Sequence, residues 1–271
     1  MNDVLRPGQS LDELLDGIEF DGDRAQFAAP SDWGQGRAPY GGLVGAAAAR
    51  ALESAAPDRP LRSMMVSFVG PVAPGIAEME IETLRAGRSA THASVRIAQE
   101  GTVRAAVLGC LGQDRESSLI HQGSTAPDMT PVEDVPSAPY IEGIMPAFVQ
   151  HVHMRFAVGD PPYSGRRSEA MGGFCRFRVP TRRVDASLIA GLADIWPAPV
   201  IPWLKAPAPA SSMTWNLEIV HLDPSLPTDA WWTYRAVTEA TEHGYVHFRA
   251  ELWDAKGRLA AVSRQLAAVF A

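Results

Sequence analysis

Lysine is almost missing from this chain. Lys205 and Lys256 are the only two among 271 residues, and arginine carries the rest of the basic charge. With 24 basic against 31 acidic residues, the formal net charge is −7. Nucleic-acid binders carry a basic patch and a surplus of positive charge, so no nucleic-acid partner is expected. The doublets Arg166–Arg167 and Arg182–Arg183 are expected on solvated surface. Cysteine is scarce as well. Cys110 and Cys175 lie far apart with no CxxC spacing, which argues against a disulfide scaffold and a structural zinc site. The longest apolar stretch, Gly41 to Ala49, falls far short of the roughly 20 residues that span a bilayer. The opening MNDVLRPGQS has no apolar signal core, so a cytoplasmic location is expected. HExxH, Walker and GxSxG motifs are missing, and Gly34 and Gly36 lack the third glycine of a dinucleotide loop. His151 and His153 flank Val152 at strand spacing with no third ligand type nearby. No metal and no cofactor is therefore expected.

What the sequence does hold is an internal repeat of a strand-rich unit. Hydrophobic residues make up 46% of the chain, enough for a sizeable core. In the first half, Gly41 to Ser54 (GGLVGAAAARALES) predicts a helix. Strands follow at Ser63–Val69, Ile76–Leu84, Ala90–Ala98 and Val103–Leu111, punctuated by Gly70–Pro71, Ala86–Gly87–Arg88 and Glu100–Gly101. The second half repeats the order: a helix at Ser187–Trp196, then strands at Met213–Leu222, Trp231–Val237, Tyr245–Trp253 and Leu259–Val269. The segment Glu116 to Pro139, rich in Ser, Pro and Asp, has the composition of a linker. The expected organisation is an N-terminal unit over 1–115, a linker over 116–140 and a C-terminal unit over 141–271. The first helix is apolar on every side, with Gly45 and Ala46 to Ala49 as its small residues. Such a helix is buried, and small side chains let strands close around it. That suits an α+β hotdog fold, a sheet wrapped around a central helix.

The runs GGLVGAAAARAL, SMMVSFVGPVAPG and IETLRAGRSATHASVRIAQEG, with GRLAAVSRQ near the C-terminus, resemble the bacterial acyl-CoA thioesterase II family. The hairpin Glu82 to Ser89 is the most specific piece. The resemblance runs along nearly the whole chain in the same order. It implies a double hotdog, two fused hotdog units each with a central helix wrapped by an antiparallel sheet, and an acyl-CoA substrate. It also implies a hydrolytic set of Asp, Ser or Thr, and Gln from the second unit. The segment LIAGLADIWPAP points to Asp194 on the second helix, and the closing strand points to Gln265. The hydroxyl member falls in ASSMTWNLEIVH, where Ser212 and Thr214 are both candidates.

The residues bear on these assignments independently. On a helical wheel, Leu188, Ile189, Leu192, Ile195 and Trp196 form one stripe and Asp194 lies roughly opposite, where an acid is commonly solvated. Strand alternation places Gln265 with Ala261, Ser263, Ala267 and Val269, a small apolar face on which an amide needs a partner. The matching first-half stretch, Val107 to Leu111, has no amide, which argues for one site per chain. Alternation also places Ser212 and Thr214 with Asn216 and Glu218. Gly41 and Gly42 open the first helix, where free N–H groups can hold substrate oxygen. The competing readings are a non-catalytic acyl-CoA or acyl-carrier binding protein and a hotdog dehydratase, the latter lacking a visible His/Asp or His/Glu motif. Sheet edges and faces left after intrachain pairing suggest a homo-oligomer.

Overall fold

The structure is a computed structural model and describes residues 8–271. Its helices are α1 (Leu11–Asp16), α2 (Gly41–Ser54) and α3 (Ala186–Ala193). The strands of the first half are β1 (Glu19–Asp21), β2 (Arg24–Ala29), β3 (Gly34–Gln35), β4 (Ala38–Pro39), β5 (Leu61–Phe68), β6 (Gly75–Ala86), β7 (Ala90–Gln99) and β8 (Thr102–Gly112). Those of the second half are β9 (Val152–Val158), β10 (Ala170–Phe177), β11 (Ala210–Ile219), β12 (Trp232–Glu242), β13 (Tyr245–Trp253) and β14 (Leu259–Val269). β3 and β4 form a small ribbon of their own. The other twelve make one antiparallel sheet in the order β1-β2-β6-β7-β8-β5-β11-β14-β13-β12-β10-β9.

This order is a double hotdog. Counting only strands of the large sheet, each half runs two strands, a helix and four strands, and the halves join where β5 pairs with β11, Val66 opposite Trp215 and Met64 opposite Leu217. The twelve-stranded sheet lays its apolar face on the two helices. Along β14 the residues Ala261, Ser263, Gln265 and Ala267 are buried while Arg264 is exposed, the period-two pattern of a sheet with one covered face.

The two helices lie antiparallel and close together because their contact residues are small. A Cβ on Gly42 would sit 2.8 Å from the carbonyl oxygen of Gly191. One turn further, the Ser187 hydroxyl donates to the carbonyl of Ala46 at 3.2 Å. Helix α2 is buried on every side from Gly42 to Ala49, as its composition requires. All eight residues of α3 are buried too.

Four features differ from the sequence reading. First, α3 stops at Ala193 rather than Trp196. Asp194 is its C-terminal cap, with φ −120° and ψ 14°. Pro197 removes a donor and restricts the residue before it, so the last helical turn cannot continue through Ile195 and Trp196. Asp194 therefore leaves the helical wheel on which it had appeared solvated. Second, β11 contains a bulge at Met213 between Ser212 and Thr214. Third, β1, β2, β9 and β10 were not anticipated. β10 carries Gly172 and Gly173 and its register shifts between them, which breaks the alternation that marks a strand. The carbonyl of Tyr234 would lie 2.1 Å from a Cβ on Gly172, so the neighbouring strand demands glycine there. Fourth, α1 was also missed, although Ser10 and Glu13 form the capping box that starts it. The free edge of β9 is covered: Ala138 donates to the Met154 carbonyl, and Arg155 reaches the carbonyls of Val132 and Val135, a common protection for an edge strand.

Gly45 tests how tightly the sheet closes on α2. A Cβ there would lie 2.5 Å from Trp215 Cζ3 and 3.2 Å from Met64 Cε. The Trp215 indole is held in place by its bond to the Ser263 hydroxyl at 2.8 Å. Gly45→Ala gains about 1 kcal/mol of helix propensity but loses more to overpacking, so a net destabilisation of about 1–2 kcal/mol is expected. Urea denaturation of the variant checks this, and an unchanged midpoint would contradict the packing described.

Candidate active site

Three side chains from the second half meet at the joint between the helices and the sheet. Asp194 comes from the end of α3, Gln265 from β14 and Ser212 from β11. The Gln265 amide nitrogen donates to Asp194 Oδ1 at 2.8 Å. The Ser212 hydroxyl donates to the Gln265 amide oxygen at 3.1 Å. An ionised carboxylate only accepts, so Gln265 must turn its NH₂ toward Asp194. Its carbonyl oxygen is then left for Ser212, and the chain has one direction.

The Met213 bulge decides between the two hydroxyl candidates. Ser212 pairs with Ala267 and Trp215 with Gln265, so Ser212 and Trp215 share the inner face although they stand three positions apart in sequence. Thr214 pairs with Leu266 and Ser67 and is exposed with Glu218. The expected common face of Ser212, Thr214, Asn216 and Glu218 is thus corrected: Ser212 leaves it, because a period of two fails where an extra residue is inserted. Ser212 stands with Gln265, and Thr214 points away.

The glycine pair at the start of α2 also reaches the site. The Gly42 backbone N–H acts on the Asp194 carboxylate and lowers its pKa. A Cβ on Gly41 would lie 2.6 Å from Asp194 Oδ2 and 2.9 Å from Phe68 Cζ, so only glycine lets α2 open against the carboxylate. Phe68, half-buried at the end of β5, was not singled out by the sequence. Nor was Tyr40, which precedes the glycine pair.

Burial and hydrogen bonding pull the Asp194 carboxyl in opposite directions. Desolvation is the larger influence and raises it; the bonds from Gln265 and Gly42 lower it. The balance leaves its pKa at about 6, against an ordinary 3.8. Asp194 as a residue keeps partial solvent exposure, while its carboxyl is sheltered from water.

The corresponding end of the first half has no such set. Met64 lies opposite Gly109 in β8 and opposite Leu217 in β11, as Trp215 lies opposite Gln265 in β14 and Val66 in β5. Gly109 thus holds the place of Gln265. The space over it is filled by Leu52, whose Cδ1 would lie 2.5 Å from a Cβ there. Each central strand bulges at the same point, and Leu61 stands where Ser212 does.

Other candidates are placed elsewhere. His151 pairs with Asp32 at 3.0 Å and stacks on Trp33 at 4.2 Å, while His153 lies near Trp231. Among the described residues, no three His, Cys, Asp or Glu side chains form a metal-binding group. Two open surface clefts, of about 550 and 650 Å³, lie by Ser54 and Glu80 and by Arg62 and Cys110. Neither includes any member of the Asp194 set, and the polar chain is the stronger marker of chemistry. No helix among the described residues is long and apolar enough to cross a membrane.

Sheet order, paired helices and repeat together define a double-hotdog protein. Residues 29–112 match the N-terminal domain of acyl-CoA thioesterases and residues 127–269 match their C-terminal domain. The chain belongs to the acyl-CoA thioesterase family. Among solved structures it is similar to a conserved hot-dog-fold protein of unknown function from Alicyclobacillus acidocaldarius, at 24% identity and a TM-score of 0.86 over 96% of this chain and 98% of that one. It is also similar to acyl-CoA thioesterase II TesB2 from Mycobacterium marinum, at 15% identity and a TM-score of 0.77 over 96% and 98%. A tesB protein of Mycobacterium avium subs paratuberculosis gives 14% and 0.79 over 96% and 98%. At these identities the likeness is one of fold. No curated protein matches the chain.

The electrostatics can be checked without any substrate. A ¹³C NMR titration of the Asp194 carboxyl should show its midpoint near pH 6. A midpoint near the ordinary value of 3.8 would mean that the group is open to water.

Proposed function

We propose that the chain hydrolyses an acyl-CoA thioester to a free acid and CoA, through a water held by Asp194, Ser212 and Gln265. The observation that carries this reading is the directed hydrogen-bond chain from Ser212 through Gln265 to Asp194. Ser212 spends its proton on Gln265 and keeps its lone pairs. Asp194 has only acceptors. A water between them donates a hydrogen to each and turns its own lone pair toward the thioester carbon. Attack forms a tetrahedral intermediate while the proton passes to Asp194. Collapse breaks the C–S bond, and the departing thiolate takes that proton.

The developing oxyanion needs a donor. The Gly42 N–H already serves the Asp194 carboxylate by lowering its pKa, so the Gly41 N–H at the start of α2 is the group assigned to the thioester oxygen. Phe68, beside Gly41 and Asp194, forms an apolar wall at the reacting carbonyl. The chemistry needs no metal and no covalent intermediate. A homo-oligomer and a cytoplasmic location belong to the same reading; light scattering at micromolar concentration tests the former, and a monomer mass would reject it.

A panel of acyl-CoAs with a thiol-detecting reagent is the direct test. Release of CoA from at least one member is expected. Failure across a broad panel, with tight acyl-CoA binding retained, would favour a binding protein instead. In the active case, kcat should fall with acidity as Asp194 takes up a proton, with a half-point near pH 6. The sign follows from the base role: activity is present above that pKa and lost below it. Asp194→Asn should lower kcat by roughly 10²–10⁴-fold and Gln265→Ala by about 10²-fold, with smaller changes in KM. Ser212→Ala should approach the Gln265→Ala loss, while Thr214→Ala leaves the rate at its parental value. Equal effects at 212 and 214 would contradict the bulge-directed assignment.

A further inference from the structure

We propose that Tyr40 is a positioning residue for Asp194: its hydroxyl locks the last turn of α3 to the start of α2. The inference rests on the hydrolytic reading of Asp194 above. Tyr40 is the N-terminal cap residue of α2 and is completely buried. Its hydroxyl donates to the carbonyl of Gly191 at 3.1 Å, three residues before Asp194. The last carbonyls of a helix have no partner within it, so this bond satisfies a group that α3 leaves open.

The ring is as firmly set as the hydroxyl. It stacks on Phe148 at 4.3 Å and 10° and lies 6.0 Å from Trp33. On its remaining side it lies across Gly42, where a Cβ would meet Tyr40 Cε2 at 2.4 Å. Gly42 is the residue whose N–H favours the ionised Asp194 carboxylate. One side chain therefore fixes both halves of that contact, the donor through its ring and the acceptor through its hydroxyl. Ser10-type capping does not occur here: Tyr40 makes no side-chain bond to its own helix. Its hydroxyl is committed to the neighbouring one.

Loss of the hydroxyl frees the α3 end to move away from α2. The hold of the Gly42 N–H on the carboxylate then weakens. Since that N–H lowers the Asp194 pKa, moving it away raises the pKa. The titratable groups facing Asp194 are Tyr40 itself and Tyr234 from β12, with Cys175 from β10 facing both tyrosines. Burial raises all three, Cys175 to about 12, so none of them ionises near the acid limb.

The test compares Tyr40→Phe with the parent enzyme on an acyl-CoA that the parent hydrolyses. A roughly 10-fold loss of kcat with KM within about twofold is expected, and the acid limb should move up by about half a pH unit. Phe148→Leu serves as the packing control. It thins the stack but keeps the hydroxyl, so it should lower Tm and leave the limb in place. Parental kcat and limb in Tyr40→Phe would overturn the proposal, as would an equal limb shift in Phe148→Leu. The Asp194 carboxyl titration by ¹³C NMR gives the same comparison without turnover. Should Tyr40→Phe not fold, 3-fluorotyrosine placed at position 40 keeps the ring and strengthens the donor. The Asp194 midpoint should then move down, and an unmoved midpoint overturns the proposal. Asp194→Asn separates the two readings. If it is inactive while Tyr40→Phe is unaffected, only the Tyr40 role fails. If it retains parental activity, the Asp194 reading fails and the Tyr40 role with it.

Discussion

The close antiparallel contact between α2 and α3 is the constraint from which the site follows. Gly42 against Gly191 and Ala46 against Ser187 let two backbones meet almost without side chains between them. An antiparallel pair brings the C-terminal end of one helix beside the N-terminal end of the other. Free N–H groups and partial positive charge gather at the N-terminal end of a helix, free carbonyls and partial negative charge at the C-terminal end. A carboxylate placed just past the end of α3 is disfavoured by its own helix and favoured by its neighbour. Asp194 occupies that junction. Sheet closure supplies the remaining partners, because β11 and β14 cross the helix ends at the same level.

The same antiparallel geometry produces a second junction, at the start of α3, and it is handled in the opposite way. There Asp185 caps α3 through the Leu188 N–H at 2.9 Å and faces Arg50 at 3.9 Å and Arg183 at 3.3 Å. Burial, and then Asp185, raises the carboxyl of nearby Glu53. Arginines hold the acid at that end as a structural ion pair. At the Asp194 end only neutral donors are present, the Gln265 amide and the Gly42 N–H. Neutral donors orient a carboxylate without removing its appetite for a proton. The cost is visible in its energetics. A pKa displaced from 3.8 to about 6 corresponds to a destabilisation of about 3 kcal/mol, absent below pH 4 and fully present once pH has risen past 6. Such a displacement is characteristic of groups kept for chemistry rather than for stability.

Much of this was legible from residue type and period alone. The small-residue helix Gly41–Ser54 declared its own burial, and the glycine turns after each strand marked the hairpins. That Gln265 is buried and partnered was legible because an amide on a strand face of Ala, Ser and Val needs a hydrogen-bond partner. The errors share a cause: each lies where a local rule is interrupted by its tertiary surroundings. A helical wheel drawn through Asp194 assumed that α3 continued, although Pro197 was in view. Alternation carried across Met213 put Thr214 on the wrong face, since nothing in the residues ASSMTW marks the extra one. The strands β9 and β10 escaped because Gly172 and Gly173 serve the approach of neighbouring backbones, a requirement that exists only in the assembled sheet. Tyr40 escaped for a similar reason. Its partner Gly191 is 151 residues away.

The bulge and the helix end are therefore the two irregularities on which the polar chain depends. With a regular β11, the inner residue beside Gln265 would be Met213 or Ser211, one register from Ser212. With α3 extended by a turn, Asp194 would be carried around the helix and away from β14. Together they leave Ser212, Gln265 and Asp194 in series, with every hydrogen bond pointing toward the carboxylate. The direction is set by one charge. Protonation of Asp194 turns an obligate acceptor into a donor and removes the reason for the Gln265 NH₂ to face it. The amide can then turn over, Ser212 must accept where it had donated, and in the proposed reaction both acceptors for the attacking water are lost together. A single proton at one end thus controls the whole arrangement. On the proposed reading, a neutral amide and a hydroxyl, which never ionise here, therefore still belong to the acid limb of the reaction.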